Sequence, residues 1–302
     1  MSSSESESVV QYKIMSKVEV VPNFYNFTVY APKIARKAEP GQFILVMADE
    51  RSERVPITLS DWDPDKGTVS FYVQEVGLST TKMAFLREGD SFFSVVGPLG
   101  RPAVVGHYGR VVLGGGCFGI GGIYPIAKKL RELGNHVTAI VEAKSSYMLY
   151  LDQQLGEVCN ETILVTNDGS KGKKGFVYDV IEEMIDQERE IDHIKVIGCN
   201  IMMAKVSKLT KPHKIPTFVT VTTIMVDGTG MCGACRLGYD GKTKYACVDG
   251  PEFDGHKVEW DDLIKIRATG YLEDENLGYQ NFAPECRSLR VYRERNPEEE
   301  IP

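Results

Sequence analysis

Several things are missing from this 302-residue sequence, and each absence removes a class of function. No apolar run approaches the roughly 20 residues that span a bilayer. The opening residues, MSSSESES, are polar and acidic and unlike a secretory leader, so a cytoplasmic protein is expected. Basic residues are in deficit: 35 Lys and Arg stand against 42 Asp and Glu, a net charge of −7. Nothing is left over to neutralise a nucleic-acid backbone in a general way. Cysteine is too sparse and too unevenly placed for a secreted disulfide scaffold. There is no internal repeat. What remains is ordinary globular composition, 42% hydrophobic and 25% charged, on a chain long enough for two or three cores.

The pattern of the chain changes twice. Residues 1–8, only Ser and Glu after the initial Met, are expected to be disordered. From Val9 to about Val105, short apolar stretches such as GQFILVMA, PITLSDWD and TVSFYVQEV are broken by Gly, Pro and Asp. The alternation of Val69, Phe71 and Val73 marks half-buried strands, and no stretch suits a major helix, so residues 9–105 predict a small antiparallel β-barrel. At Arg110 the pattern becomes strand, glycines, helix, strand. RVVLGGG runs into a helix with Ile123, Ile126, Ala127, Leu130 and Leu133 at helical spacing and Gly134 as its stop. VTAIVEA, ETILVTND and HIKVIGC read as further strands. VYDVIEEMID reads as a helix with Val177, Val180, Ile181, Met184 and Ile185 on one face. Such alternation predicts a doubly wound parallel sheet over 106–220. Residues 221–260 are rich in glycine and cysteine, and 261–302 are irregular and charged.

Two motifs carry chemistry. GGGCFGIGG (114–122) lies where a strand meets a helix. Glycines there permit a tight turn, and a helix N-terminus offers unpaired N–H groups and a positive dipole to a pyrophosphate. The spacing is not a clean G-x-G-x-x-G, so the strand–glycine–helix context carries the dinucleotide reading. Glu142 ends the second strand, where an acid either contacts a ribose or is simply solvated. The second motif is Asp227-x4-Cys232-x2-Cys235-x11-Cys247. A plant-type [2Fe-2S] site uses C-x4-C-x2-C and a distant fourth Cys, and this sequence keeps that spacing with Asp first. Glycines at 228, 230 and 233 let the loop wrap a cluster, while a zinc site of three Cys and one Asp is the alternative. Cys117, Cys159, Cys199 and Cys286 are scattered and read as core or incidental thiols. Arg54, Thr58 and Ser60 form a weaker phosphate-binding candidate.

Taken in order, GQF (41–43), R-x-P-x-T (54–58), G-x-S-T (77–80), GPLG (97–100) and the GGG turn resemble the ferredoxin-reductase-like flavoproteins. Within that family, IMVDGTGMCGAC and ACVDGPEFDGHKV (246–258) resemble the electron-transfer subunits of the dihydroorotate dehydrogenase type. They are most similar to the small NAD-binding subunits of electron-bifurcating NADH-dependent ferredoxin:NADP+ oxidoreductases. The dihydroorotate type has Cys where this chain has Asp227. The resemblance covers about residues 9–265. It implies that Arg54, Pro56, Thr58, Leu59 and Ser60 hold FAD from the isoalloxazine side and that Gly77, Ser79 and Thr80 meet its phosphates. It implies an NAD(H) site at Gly115, Gly116, Gly119, Ile120 and Asp168, with Gly198 and Met202 as further contacts, beside Glu142 read from its strand-end position. It implies cluster ligation by Asp227, Cys232, Cys235 and Cys247. The family's G-P-x-x-M stretch reads Gly198-Cys199-Asn200-Ile201-Met202 here, so Cys199 stands where the family has proline.

The expected architecture is therefore an FAD-binding β-barrel (9–105), an NAD-binding α/β domain (106–220), a [2Fe-2S] module (221–260) and a partner-contacting extension (261–302). The expected function is hydride exchange between NAD(H) and FAD and single-electron exchange between FAD and the cluster, with no acid–base residue required. The implied partner is a large glutamate-synthase-like subunit carrying flavin and [4Fe-4S] clusters and linked to NADP(H) and ferredoxin. Two alternatives stay open: the same module serving a dihydroorotate dehydrogenase or hydrogenase-type complex, or a non-catalytic zinc-stabilised binding protein.

Overall fold

The computed structural model describes residues 12–266. The expected disorder of residues 1–8 and all but the first six residues of the expected partner-contacting extension lie outside the described residues. The amino-terminal strands are β1 (Ile14–Val21), β2 (Phe24–Tyr30), β3 (Phe43–Met47), β4 (Val55–Asp63), β5 (Thr68–Gln74) and β6 (Ser94–Leu99), with short helices α1 (Pro32–Ala35) and α2 (Leu78–Phe85) between them. They form one antiparallel sheet in the order β1-β2-β5-β4-β3-β6. Its ends curl towards each other, because Ile14 donates its N–H to Asp90 O and Phe92 donates to Tyr12 O. The alternation read in the sequence is borne out: Val69, Phe71 and Val73 are buried inside this barrel-like sheet. Phe27 pairs with Phe71 across β2 and β5, and their rings pack with that of Phe92 at centroid distances of 5.4–5.9 Å. Aromatic pairs at these distances add to the area they bury. Helix α2 was not legible as a helix; its residues, LSTTKMAF, include three Ser or Thr hydroxyls and no long apolar stripe.

The second unit contains β7 (Arg110–Gly116), α3 (Gly119–Glu132), β8 (His136–Ala143), α4 (Asp152–Val158), β9 (Glu161–Thr166) and β10 (Lys173–Lys174). It continues with α5 (Val177–Asp186), β11 (His193–Ile197), α6 (Asn200–Thr210) and β12 (Thr217–Thr220). Ile123, Ile126, Ala127 and Leu130 of α3 are buried as expected, whereas Leu133 caps the helix and is exposed. Val177, Val180, Ile181 and Met184 of α5 are buried. No helix among the described residues is long and apolar enough to cross a membrane.

The cysteine-rich stretch supplies the hairpin β13 (Arg236–Tyr239) and β14 (Lys242–Tyr245), helix α7 (Ala246–Asp249) and strand β15 (Glu252–Asp254). Strand β15 joins the second sheet antiparallel to β12, giving the order β10-β9-β8-β7-β11-β12-β15. A final π-helical turn, Asp262–Ile266, places Leu263 in the same core. A buried ion pair ties the three parts together. Lys195 Nζ on β11 lies 2.6 Å from Glu252 Oε1 on β15, and Glu252 Oε2 accepts the Val104 N–H of the barrel exit at 2.8 Å. Both side chains are almost fully shielded from solvent, so removing either would strand a buried charge.

Candidate functional site

Strand order reverses around β7, which has β8 on one side and β11 on the other. In doubly wound sheets, ligands bind outside the carboxyl ends of the strands at such a point. The register pairs Ile197 with Gly115, so Gly116 and Gly198 end side by side at that edge. Met202 of α6 fills the space the two glycines leave: a Cβ on Gly116 would lie 3.0 Å from its sulfur, and one on Gly198 would overlap its methyl group. Gly119, the first residue of α3, is pressed so closely to β11 that a Cβ would overlap the Ile197 carbonyl. Gly115, Gly116, Gly119, Gly198 and Met202 are thereby brought to one crevice, and Ile120 is fully buried beneath it.

The two acids expected at this crevice differ in environment. Asp168, beyond β9, is exposed, and its Oδ1 accepts hydrogen bonds from the Ser170 N–H at 2.9 Å and hydroxyl at 2.7 Å. Partial burial raises its pKa, but these bonds and one from Ser145 outweigh that and hold it below the ordinary carboxylate value. Glu142 ends β8 but is buried. Its Oε2 accepts the Val177 N–H that opens α5, at 2.7 Å, and its Oε1 accepts Asn167 Nδ2 at 3.3 Å. Burial pushes its pKa up against these two bonds. Glu142 therefore caps a helix, and Asp168 is the carboxylate on the surface.

A cleft of about 240 Å³ opens between the barrel and the start of α3. Pro56, Thr58, Tyr72 and Thr80 line it from the barrel side, Phe118, Gly121 and Gly122 from α3, and Met225 and Pro251 from the cysteine-rich part. A Cβ on Gly121 would sit 2.6 Å from the Tyr72 ring, and one on Gly122 3.4 Å from the Thr58 methyl. These glycines let α3 approach the barrel wall. Of the residues expected to hold the flavin, Pro56 and Thr58 reach the cleft. Arg54 is exposed just before β4. Leu59 belongs to the barrel core, and the buried Ser60 hydroxyl donates to Ser70 O at 2.9 Å. At the start of α2, the half-buried Ser79 follows the exposed Gly77, and Thr80 Oγ1 accepts the Val76 and Gly77 N–H groups at 2.9 and 3.0 Å. The mostly apolar walls with threonine hydroxyls among them fit a flat aromatic ring system carrying polar groups.

Cys235 and Cys247 are buried with their sulfurs 3.2 Å apart and unbridged. Burial, followed by the Cys235 hydrogen bond, pushes the Cys247 thiol up to about 12. Cys232 is exposed, and the Asp227 carboxylate accepts the Thr229 and Cys232 N–H groups, each at 2.8 Å. The bond from Thr229 is the larger cause of a lowered Asp227 pKa. Among the described residues no three His, Cys, Asp or Glu side chains converge as a formed metal site. The donor set still fits an iron–sulfur cluster: three soft thiols and one carboxylate sit on a loop whose Gly228, Gly230 and Gly233 all have positive φ. Gly228 also lies against Leu45 and Leu99 of the barrel, 2.9 and 2.8 Å from a notional Cβ. Phe43, Leu45, Met225, Cys235 and Cys247 share one core, and Phe43 and Met225 also line the cleft. The cleft and the thiol pair are thus separated by common walls.

The sequence reading missed Tyr72, Phe118 and Met225 as cleft residues, while Cys235 and Cys247, read as members of one ligand set, do lie together. No local signal announces the first three, since each reaches the cleft through long-range packing.

Comparison with known proteins agrees with this arrangement. Residues 222–259 match the family described as the iron–sulfur cluster binding domain of dihydroorotate dehydrogenase B. A protein of Thermotoga maritima, described as a dihydroorotate dehydrogenase B (NAD(+)) electron transfer subunit homolog, is 40% identical over 270 residues, 89% of this chain and 95% of that protein. A solved structure from work on flavin-based electron bifurcation by the NADH-dependent reduced ferredoxin-NADP oxidoreductase superposes with a TM-score of 0.83. It is 38% identical and covers 91% of this chain and 99% of its own. A cytochrome P450 reductase of Amycolatopsis shares the fold alone, with a TM-score of 0.58, 18% identity and coverage of 68% of this chain and 66% of that chain.

Proposed function

Because the chain belongs to the family of dihydroorotate dehydrogenase B electron-transfer subunits and their homologs, we propose that it carries electrons between NAD(H) and a partner subunit through FAD and a [2Fe-2S] cluster. When bound, the flavin exchanges a hydride with the nicotinamide and single electrons with the cluster. The observation that carries this reading is the placement of the cleft: one wall is the start of α3, the other is the barrel, and its floor is shared with the buried thiol pair.

The protein's own residues position and exclude. Pro56, Thr58 and Tyr72 hold the ring system, and Thr80 orders the backbone where the flavin phosphates meet α2. Gly115, Gly116, Gly119 and Gly198 allow the nicotinamide dinucleotide to approach the sheet edge, with Met202 closing the space behind them. Asp227, Cys232, Cys235 and Cys247 hold the cluster. We divide the chain into barrel, α/β domain and cluster module at 9–105, 106–220 and 221–260, with β15 of the module pairing with β12 of the α/β domain. The partner is a large flavin and [4Fe-4S] subunit linked to NADP(H) and ferredoxin, this chain being the NAD branch of a bifurcating complex. That choice rests on Asp227, which stands where the dihydroorotate type has Cys, together with the 38% identity to the bifurcating oxidoreductase structure. A cytoplasmic setting suits the thiols, which stay reduced there.

NADH is expected to reduce the flavin in preference to NADPH. The exposed carboxylate of Asp168 at the crevice disfavours a 2′-phosphate, although Lys144 beyond β8 opposes it. Anaerobic titration of the full-length chain with each nucleotide, followed by flavin absorbance, tests this; preferential bleaching by NADPH would contradict it.

Asp227→Cys is expected to keep the cluster but shift its potential and spectrum, because a thiolate is a softer donor than a carboxylate. Asp227→Ala is expected to weaken iron retention. Asp227 also accepts two loop amides, so the pair of variants separates ligation from loop ordering. An alanine variant with full iron content and an unaltered EPR signal would remove Asp227 from the ligand set.

A further inference from the structure

We propose that the Tyr150 hydroxyl is a positioning group for the dinucleotide-binding turn, holding the Cys117–Gly121 backbone in the conformation that offers the start of α3 to a nucleotide. The inference rests on the functional reading above and adds a residue to it. Tyr150 follows β8, and only 5% of it is exposed. Its oxygen accepts the Gly121 N–H at 3.0 Å and donates to Cys117 O at 3.0 Å, with Phe118 O next nearest at 3.4 Å. One hydroxyl therefore spans the turn from its first residue to its last.

That turn needs holding. Cys117 has a φ of 49°, a left-handed conformation that costs a non-glycine residue roughly 1 kcal/mol or more. Its N–H is bonded to Glu142 O and its carbonyl to Tyr150, so both sides of the strained residue are fixed. Gly121 is the third residue of α3, and its N–H is one of the donors that an α-helix leaves without an internal partner. With that donor taken by Tyr150, the start of the helix cannot relax by rotating this amide elsewhere. The Tyr150 ring is held in turn. It packs at 4.8 Å against both Phe24 and Tyr72, and Tyr72 forms the barrel wall of the cleft and occupies the room left by Gly121. Tyr150 thus sets the nucleotide turn relative to the flavin wall.

The test uses Tyr150→Phe in the full-length chain, which keeps the ring and removes the bonds to the turn. NAD+ binding is read by titration calorimetry and stability by thermal denaturation. The dissociation constant for NAD+ is expected to rise on the order of tenfold, since a buried donor and acceptor both lose their partner. The flavin content is expected to stay unchanged. Phe92→Leu serves as the comparison: it loosens the aromatic packing of the barrel core on Phe27 and Phe71, away from Tyr150 and the turn, and should lower Tm while leaving NAD+ affinity unaltered. Equal NAD+ affinity in wild type and Tyr150→Phe would overturn the inference, as would an equal loss of affinity in Phe92→Leu. Wild-type protein that binds no NAD+ would overturn the functional reading itself and this inference with it.

Discussion

Cys247→Ser is expected to purify with most of its iron lost, to keep its flavin, and to deliver no electrons to its partner at a measurable rate. Cys247 is buried 3.2 Å from Cys235, in a core shared with Phe43, Leu45 and Met225. Serine is close in size, so the core is not opened. The hydroxyl is a harder donor than a thiolate, and iron–sulfur clusters are held by thiolates. Substitutions in the shell outside metal ligands already cost about 10–100-fold in metal affinity, and loss of a ligand should exceed that. Flavin bleaching by NADH should survive, because Cys247 lines neither the cleft nor the glycines of the dinucleotide crevice. Cys159→Ser provides the control. Cys159 is also buried, and burial pushes its thiol up to about 11, but it packs against α3 and α4 and not the cysteine loop. It should retain full iron. Metal and sulfide analysis of both variants decides the matter; iron retained at wild-type level in Cys247→Ser would show that this thiol is no ligand.

Gly119→Ala is expected to be among the most damaging single-methyl changes in the α/β domain. The added Cβ would overlap the Ile197 carbonyl, which is backbone in the middle of the sheet edge and cannot rotate away as a side chain would. Overpacking usually costs about 1–3 kcal/mol, and a backbone obstacle places this case at about 3 kcal/mol or above. Any relief must come from lifting the start of α3 off β11, which displaces the nucleotide turn and the Tyr72 wall together. Loss of NADH-dependent flavin bleaching should therefore accompany the fall in thermal stability. Gly156→Ala, within α4, where a Cβ would meet nothing within 4 Å, should be tolerated. Unchanged Tm and unchanged bleaching in Gly119→Ala would contradict the packing described.

The features that were legible in the sequence are those with local causes. Period-two alternation in β5 and the strand–glycine–helix pattern of β7 and α3 each reflect residues near in sequence answering to one neighbouring surface. Helix α6 was not legible, because its buried face includes Ser207 and Thr210. Their hydroxyls return to the helix's own carbonyls, Met203 O at 2.7 Å and Val206 O at 3.0 Å, so polar residues are buried without cost to the fold but at the expense of the apolar pattern. Strand β15 has three residues, too few for any period, and its place in the sheet is fixed by Phe253 and by the Glu252–Lys195 pair 57 positions away. Glu142 was expected at a ribose from its position at a strand end. Its burial depends on α5, which begins 35 residues later. Tyr150 has no motif at all, and only the folded chain brings it to Cys117 and Gly121.

The most direct test of electron transfer through this chain is anaerobic rapid mixing of the full-length protein with NADH, with flavin absorbance and low-temperature EPR read from the same reaction. The account predicts ~2 iron and ~2 sulfide per flavin, flavin bleaching first, and then the signal of a reduced [2Fe-2S] cluster. Colourless protein that carries zinc, or flavin that is bleached while the cluster never becomes reduced, would contradict it.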